Sequence, residues 1–129
     1  MTFPGQIIAS TQKELEEKVY AKPEPNKFAL EVFIKWAKQN KRQTVNRSEF
    51  SYGLKHRVED LSRALEKVIP DYQSEYIANE ELICAMVRAG FIAKNQYRPG
   101  SNKLGPNYYF NIKALPTNEV WIKQALDLL

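Results

Sequence analysis

The sequence predicts a mainly α-helical α+β protein with one small antiparallel β-hairpin and an extra helix at each end. Three observations lead there. Apolar residues recur at helical spacing from Phe28 to Ile69 and again from Leu82 to Val87. At Phe91 that pattern changes to one suited to a strand. The run Arg98–Pro106 then holds two Pro, two Gly and two cations before Tyr108-Tyr109-Phe110, the composition of a hairpin tip and its returning strand.

Taken in order, residues 1–25 read as an arm and a short helix. Thr11-Gln12-Lys13-Glu14 fits a capping box, and Leu15 and Val19 share one face. Two apolar positions are too few to hold a helix in water, so it docks on the core or on a partner, or it frays. Lys22-Pro23-Glu24-Pro25 ends it, because the residue before each Pro is pushed away from helix. Residues 26–113 form the main domain. Asn26 is placed to cap a helix whose wide apolar face (Phe28, Leu30, Phe33, Trp36) predicts a central, buried element. Gln43-Thr44-Val45-Asn46 suits a brief strand. Asn46 and Ser48 are caps for a helix to about Ile69, with Phe50, Leu54, Val58, Leu61, Leu65 and Val68 as its stripe. Gly53 is its weak point, costing about 1 kcal/mol against Ala, and Pro70 ends it. Asn79, with Glu80 and Glu81 behind it, is placed to cap the next helix. Gly90 is placed to end that helix in a left-handed conformation, with Phe91 making the closing apolar contact. Residues 114–129 carry a last helix, capped by Thr117, that packs on the domain or on a partner through Trp121 and Leu128.

At 129 residues the chain is long enough for a core without disulfides, and one Cys and one His leave no zinc set. Cys84, among Leu82, Ile83 and Val87, reads as an inert core thiol. No basic segment precedes an apolar leader at the N-terminus and no stretch approaches ~18 apolar residues, so a cytoplasmic protein without membrane contact is expected. The formal charge of +4 is unevenly spread: residues 27–57 carry +6 and 91–113 carry +4, separated by −4 over 58–90. Segregated positive charge is the footprint of a polyanion binder.

The order helix, short strand, helix, helix, strand, loop, strand over residues 26–113 resembles the winged helix-turn-helix superfamily. The features that carry it are the Val45 strand, the Leu82–Gly90 helix leading into Phe91-Ile92, and the Arg98–Pro106 loop before Tyr108-Tyr109-Phe110. The resemblance implies that the helix before the hairpin enters the DNA major groove and that the loop, the wing, reaches phosphates. Here that helix opens with Glu80 and Glu81, which phosphates repel, and its sole cation, Arg88, is at its far end. Contact therefore shifts to the wing, with Arg98 and Lys103 on phosphates, Lys94 at its base, and Tyr97 or Tyr108 stacking. It also shifts to Lys41, Arg42 and Arg47, or, if the chain breaks at Gly53, to Lys55, His56, Arg57 and Arg63.

No catalytic constellation accompanies these residues. Pro99-Gly100 and Gly105-Pro106 do not form a phosphate-cradling loop before a helix, and His56 has no nucleophile motif beside it. The sequence thus predicts a non-catalytic, cofactor-free protein that binds double-stranded DNA, regulatory or accessory to a mobile element, through Lys41, Arg42, Arg47, Lys55, Arg57, Lys94, Tyr97, Arg98 and Lys103. The alternative is a protein-interaction module or homodimer that uses Glu80, Glu81, Trp121 and Leu128 of the acidic and C-terminal helices.

Overall fold

The computed structural model describes residues 5–98 and 100–129. Residues 1–4 of the expected arm and Pro99 of the expected hairpin tip lie outside the described residues. The described residues form five helices, α1 (Gln12–Tyr20), α2 (Phe28–Gln39), α3 (Ser51–Val68), α4 (Asn79–Arg88) and α5 (Asn118–Leu126), and three strands, β1 (Lys41–Asn46), β2 (Ala93–Asn95) and β3 (Tyr108–Ile112). The strands make one antiparallel sheet in the order β1-β3-β2. The expected α+β class is therefore observed.

Local chemistry accounts for most element ends. Thr11 Oγ1 accepts from the Glu14 N–H (3.1 Å) and opens α1. Gly90 (φ +92°) closes α4, with the Phe91 N–H donating to the Met86 carbonyl (3.1 Å) and the Gly90 N–H to that of Val87 (3.0 Å), a Schellman closure. Other caps differ from the sequence reading. Ala78, not Asn79, is the cap position of α4, where Glu81 accepts from the Ala78 N–H (2.9 Å). The Asn79 side chain instead donates to the Pro106 carbonyl (3.0 Å) and ties the helix start to the hairpin loop. Asn46 Oδ1 is used in a local turn by the Ser48 N–H (2.9 Å), so α3 begins later, after Phe50. Asn26 makes no cap, since α2 starts after Lys27. Thr117 does hold the cap position of α5, where its carbonyl accepts from the Val120 and Trp121 N–H groups (3.0 Å each), but its side chain makes no cap bond.

α3 runs unbroken through Gly53. Leu54, Val58, Leu61 and Leu65 are all buried, and burying one such side chain contributes about 1.5–3 kcal/mol, more than the glycine costs. The ends of its stripe are less covered: Phe50 is half-buried and Val68 is exposed. α2, α3 and α4 pack on one another, and α5 closes over α2 and α3. There Trp121 meets Phe33 and Trp36 with ring centroids 5.8 Å apart in each case, near-perpendicular to Phe33.

α1 docks on the core, with Leu15 and Val19 buried and the helix lying against α4. Its arm is tied to Lys18 of the helix, which donates to the Ile8 carbonyl (2.5 Å), and to the sheet by one phenol. The Ala9 N–H donates to Tyr108 Oη (2.8 Å), which donates to the Ile7 carbonyl (3.0 Å). In the sheet, buried Asn111 serves both neighbours, accepting from the Ile92 N–H (2.8 Å) and donating to the Arg42 carbonyl (3.1 Å). β1 bulges between its pairings Lys41 with Ile112 and Asn46 with Phe110, which carries Arg47 out beyond the paired strand.

Candidate nucleic-acid interface

A cleft of about 390 Å³ opens between the start of α1 and the loop that joins β2 to β3. One wall is Ala9, Ser10, Thr11 and Gln12; the other is Lys94, Asn95, Tyr97, Arg98 and the loop residues Gly100, Ser101, Lys103 and Leu104. Arg47, Ile92, Ala93, Leu15 and Tyr108 complete it.

The loop wall is built by side-chain clamps at its stem. Asn95 Oδ1 accepts from the Tyr97 and Gly105 N–H groups (3.2 and 3.1 Å), and its amide donates to the Gly105 carbonyl (2.8 Å). Gln96 Oε1 accepts twice from Asn107, from the backbone at 3.2 Å and from the side chain at 3.1 Å. Gly105 makes this possible, because a Cβ there would fall 2.1 Å from Gln96 Oε1 and displace the clamp. Opposite, the Ala93 N–H donates to Gln12 Oε1 (2.9 Å) and fixes the start of α1 against the sheet.

The electrostatics of the cleft are one-sided. Arg47, Lys94, Arg98 and Lys103 line it, and among the described residues no carboxylate does. Among the described residues none of the four takes part in an ion pair. The Arg47 guanidinium lies 5.2 Å from the Tyr109 ring centroid, a contact that orients the charge without neutralising it. Glu14, one turn into α1, is taken up by Ser10 (3.3 Å) and Lys18 (3.2 Å).

Five of the nine residues expected at a nucleic-acid site therefore meet here: Arg47, Lys94, Tyr97, Arg98 and Lys103. The other four stand elsewhere. Lys41 reaches the Gly90 carbonyl (3.3 Å) and covers the Phe91 ring, and Arg42 donates to Thr44 (2.9 Å) on exposed β1. Lys55 is only 5 % exposed, 3.4 Å from Glu59 and 4.6 Å from the Tyr76 ring centroid. Arg57 is spent on Glu49 (3.0 Å), the Pro116 carbonyl (2.9 Å) and Asn118 (3.0 Å). α3 continues through Gly53, so the break expected to present a basic face does not occur: Lys55 is turned inward, while the exposed His56 and Arg63 face Glu59 (3.0 Å) and Asp60 on the same helix. Tyr108, expected as a stacking group, is buried and serves as the latch of the arm, and burial pushes its phenol up.

The alternative set is also engaged within the chain. Glu81 pairs with Lys27 (2.9 Å), Glu80 lies beside Gly5, and Trp121 is fully buried. Leu128 packs against the core. Every residue of α4 is buried or half-buried. Arg88 donates to the Lys22 carbonyl (2.9 Å) and lies 4.8 Å from the Tyr20 ring centroid. Burial raises the Cys84 thiol.

The sequence reading missed the α1 wall. Its signal was the Leu15–Val19 pair together with Ile7 and Ala9, all of which are buried. Among the described residues no helix is long and apolar enough to cross a membrane. Comparison with known proteins finds no family model, no curated protein and no solved structure that matches the chain.

Proposed function

We propose that the chain is a non-catalytic DNA-binding protein on a winged-helix frame, regulatory or accessory to a mobile element, that grips phosphates between its wing and the start of α1. The frame is supported by the succession α2-β1-α3-α4-β2-loop-β3 and by the strand order β1-β3-β2. The carrying observation is the meeting of Arg47, from the first basic block, with Lys94, Arg98 and Lys103, from the second, in a cleft that no carboxylate lines among the described residues. Such a cleft suits a polyanion, and cations without carboxylate partners give up no ion pair on binding.

The mode of contact departs from groove reading. α1 lies against α4, and α4 has no exposed residue to bring to base edges. Contacts to phosphate fix position but carry no base identity, so the reading is of a binder with weak sequence preference. With all four cations on phosphates of a duplex, affinity falls about a hundredfold between roughly 50 and 200 mM salt. Titration of a labelled duplex at both salt concentrations tests this. The Arg98→Ala/Lys103→Ala variant weakens binding to all sequences together and lowers the salt slope by about two. No binding at micromolar protein in low salt refutes the proposal. The protein-interaction alternative loses support, because the apolar face it requires at Trp121 is turned into the core.

A further inference from the structure

The cleft carries more than charge. Ile92, Tyr97 and Leu104 line it and are 44 %, 40 % and 45 % exposed, three of the large apolar side chains left in water by the fold. The Tyr97 ring has no aromatic or cationic partner among the described residues. A paired duplex leaves these groups unused, since it turns phosphate and sugar outward and keeps its base faces stacked inside. An unpaired strand offers phosphates and bare base faces together. Domains that hold single strands meet it with a cationic groove interleaved with aromatic platforms. The helix that would enter a duplex groove is covered by α1.

We infer that the cleft between α1 and the wing seats an unpaired polynucleotide strand, with Arg98 and Lys103 on its phosphates and Tyr97 stacked on one of its bases. This rests on the nucleic-acid reading above and narrows its partner from a duplex to a single-stranded segment. Tyr97 is exposed at the surface, so its replacement leaves the fold in place.

The test is fluorescence anisotropy of the full chain against three end-labelled probes of equal length: an oligothymidylate of roughly 12 nucleotides, an oligouridylate, and a blunt DNA duplex. The expected result is that at least one of the two strands binds about tenfold more tightly than the duplex, the tighter one identifying DNA or RNA as its source. Tyr97→Ala then weakens strand binding about tenfold and duplex binding by a clearly smaller factor, and Tyr97→Phe restores strand binding. Duplex binding as tight as that of the tighter strand, or equal weakening of strand and duplex by Tyr97→Ala, overturns the inference while leaving DNA binding in place. No binding to any of the three overturns the DNA-binding reading itself, and this inference with it.

Discussion

Tyr108→Phe removes one oxygen and tests whether the arm is held by it. In the native protein the Tyr108 hydroxyl accepts from the Ala9 N–H at 2.8 Å and donates to the Ile7 carbonyl at 3.0 Å. The arm's other anchors are the buried side chains of Ile7 and Ala9, worth about 2–3 kcal/mol together, and an exposed bond from Lys18 Nζ to the Ile8 carbonyl (2.5 Å) that adds little in water. The two phenol hydrogen bonds add about 1 kcal/mol each. Against them stands the cost of ordering the backbone of residues 7–10, about 1 kcal/mol per residue. These terms nearly cancel, so the loss of about 2 kcal/mol releases the arm locally rather than unfolding the domain. Hydrogen exchange resolves the outcome. Protection of the Ala9 amide falls about 30-fold, while the urea midpoint moves by less than about 1 kcal/mol of global stability. Unchanged protection at Ala9 would mean that packing alone holds the arm. A large cooperative loss would mean that the arm is part of the folding unit. Either result refutes the latch. Because Ala9 and Ser10 form one wall of the cleft, the variant also reports whether that wall contributes to binding.

Other perturbations reach the rest of the molecule. Glu59→Ala strands Lys55, whose only carboxylate partner among the described residues it is, and costs about 3 kcal/mol by urea denaturation; a loss below about 1 kcal/mol contradicts the pairing. Burial works against the Glu59 charge, but the Ile77 N–H, Lys55 and His56 outweigh it and hold the carboxyl below its usual range. A lowered pKa stabilises the fold at neutral pH and loses that effect as pH falls through the folded value, so the gap between wild type and variant narrows in acid. The Tyr72 phenol is pushed up to about 12, first by burial, with the Ser62 hydrogen bond opposing it and Glu75 adding to it. Above pH 10 the unfolded chain releases that proton while the folded one keeps it, so stability declines from about pH 10 towards pH 12. Urea midpoints across that range show a shallower decline in Tyr72→Phe, and equal slopes would refute the assignment. Trp121→Ala, which empties the contact with Phe33 and Trp36, costs about 4 kcal/mol. A loss under about 1 kcal/mol in the same assay would reopen the C-terminal helix as a partner surface.

The placement of α1 bears on both the site and its reading. A helix with two apolar positions has little stability of its own, and here Leu15 and Val19 find their cover against α4 and the core. The same docking that makes α1 stable withdraws α4 from solvent and supplies the second wall of the cleft. One packing event thus closes one surface and opens another.

What was legible in the sequence was what short-range chemistry decides. The stripe through Leu54, Val58, Leu61 and Leu65 required a helix with a buried face, and Gly90 followed by Phe91 required the Schellman end of α4, because each depends on neighbours within a turn or two. The Pro- and Gly-rich run 98–106 could not continue a ladder, and Tyr108–Phe110 returned as its strand. Cap choice was less secure: Asn46 turns to Ser48 instead, Asn79 reaches the distant Pro106 carbonyl, and Thr117 holds its cap position through its carbonyl rather than its side chain. The site lay furthest from the sequence. Arg47 and Arg57 are equally basic and ten positions apart, yet one ends in an open cleft and the other between Glu49 and the Pro116 carbonyl. Lys55 was drawn inward by Glu59 and Tyr76 in the same way. Whether a cation is free depends on which carboxylates and carbonyls folding brings beside it, and those contacts span from four residues for Lys55 and Glu59 to 59 for Arg57 and Pro116. The sequence by itself determined the elements and the two basic blocks. The tertiary structure decided which of those charges remain available to a partner, because charge pairing is a property of distance in space and not of order along the chain.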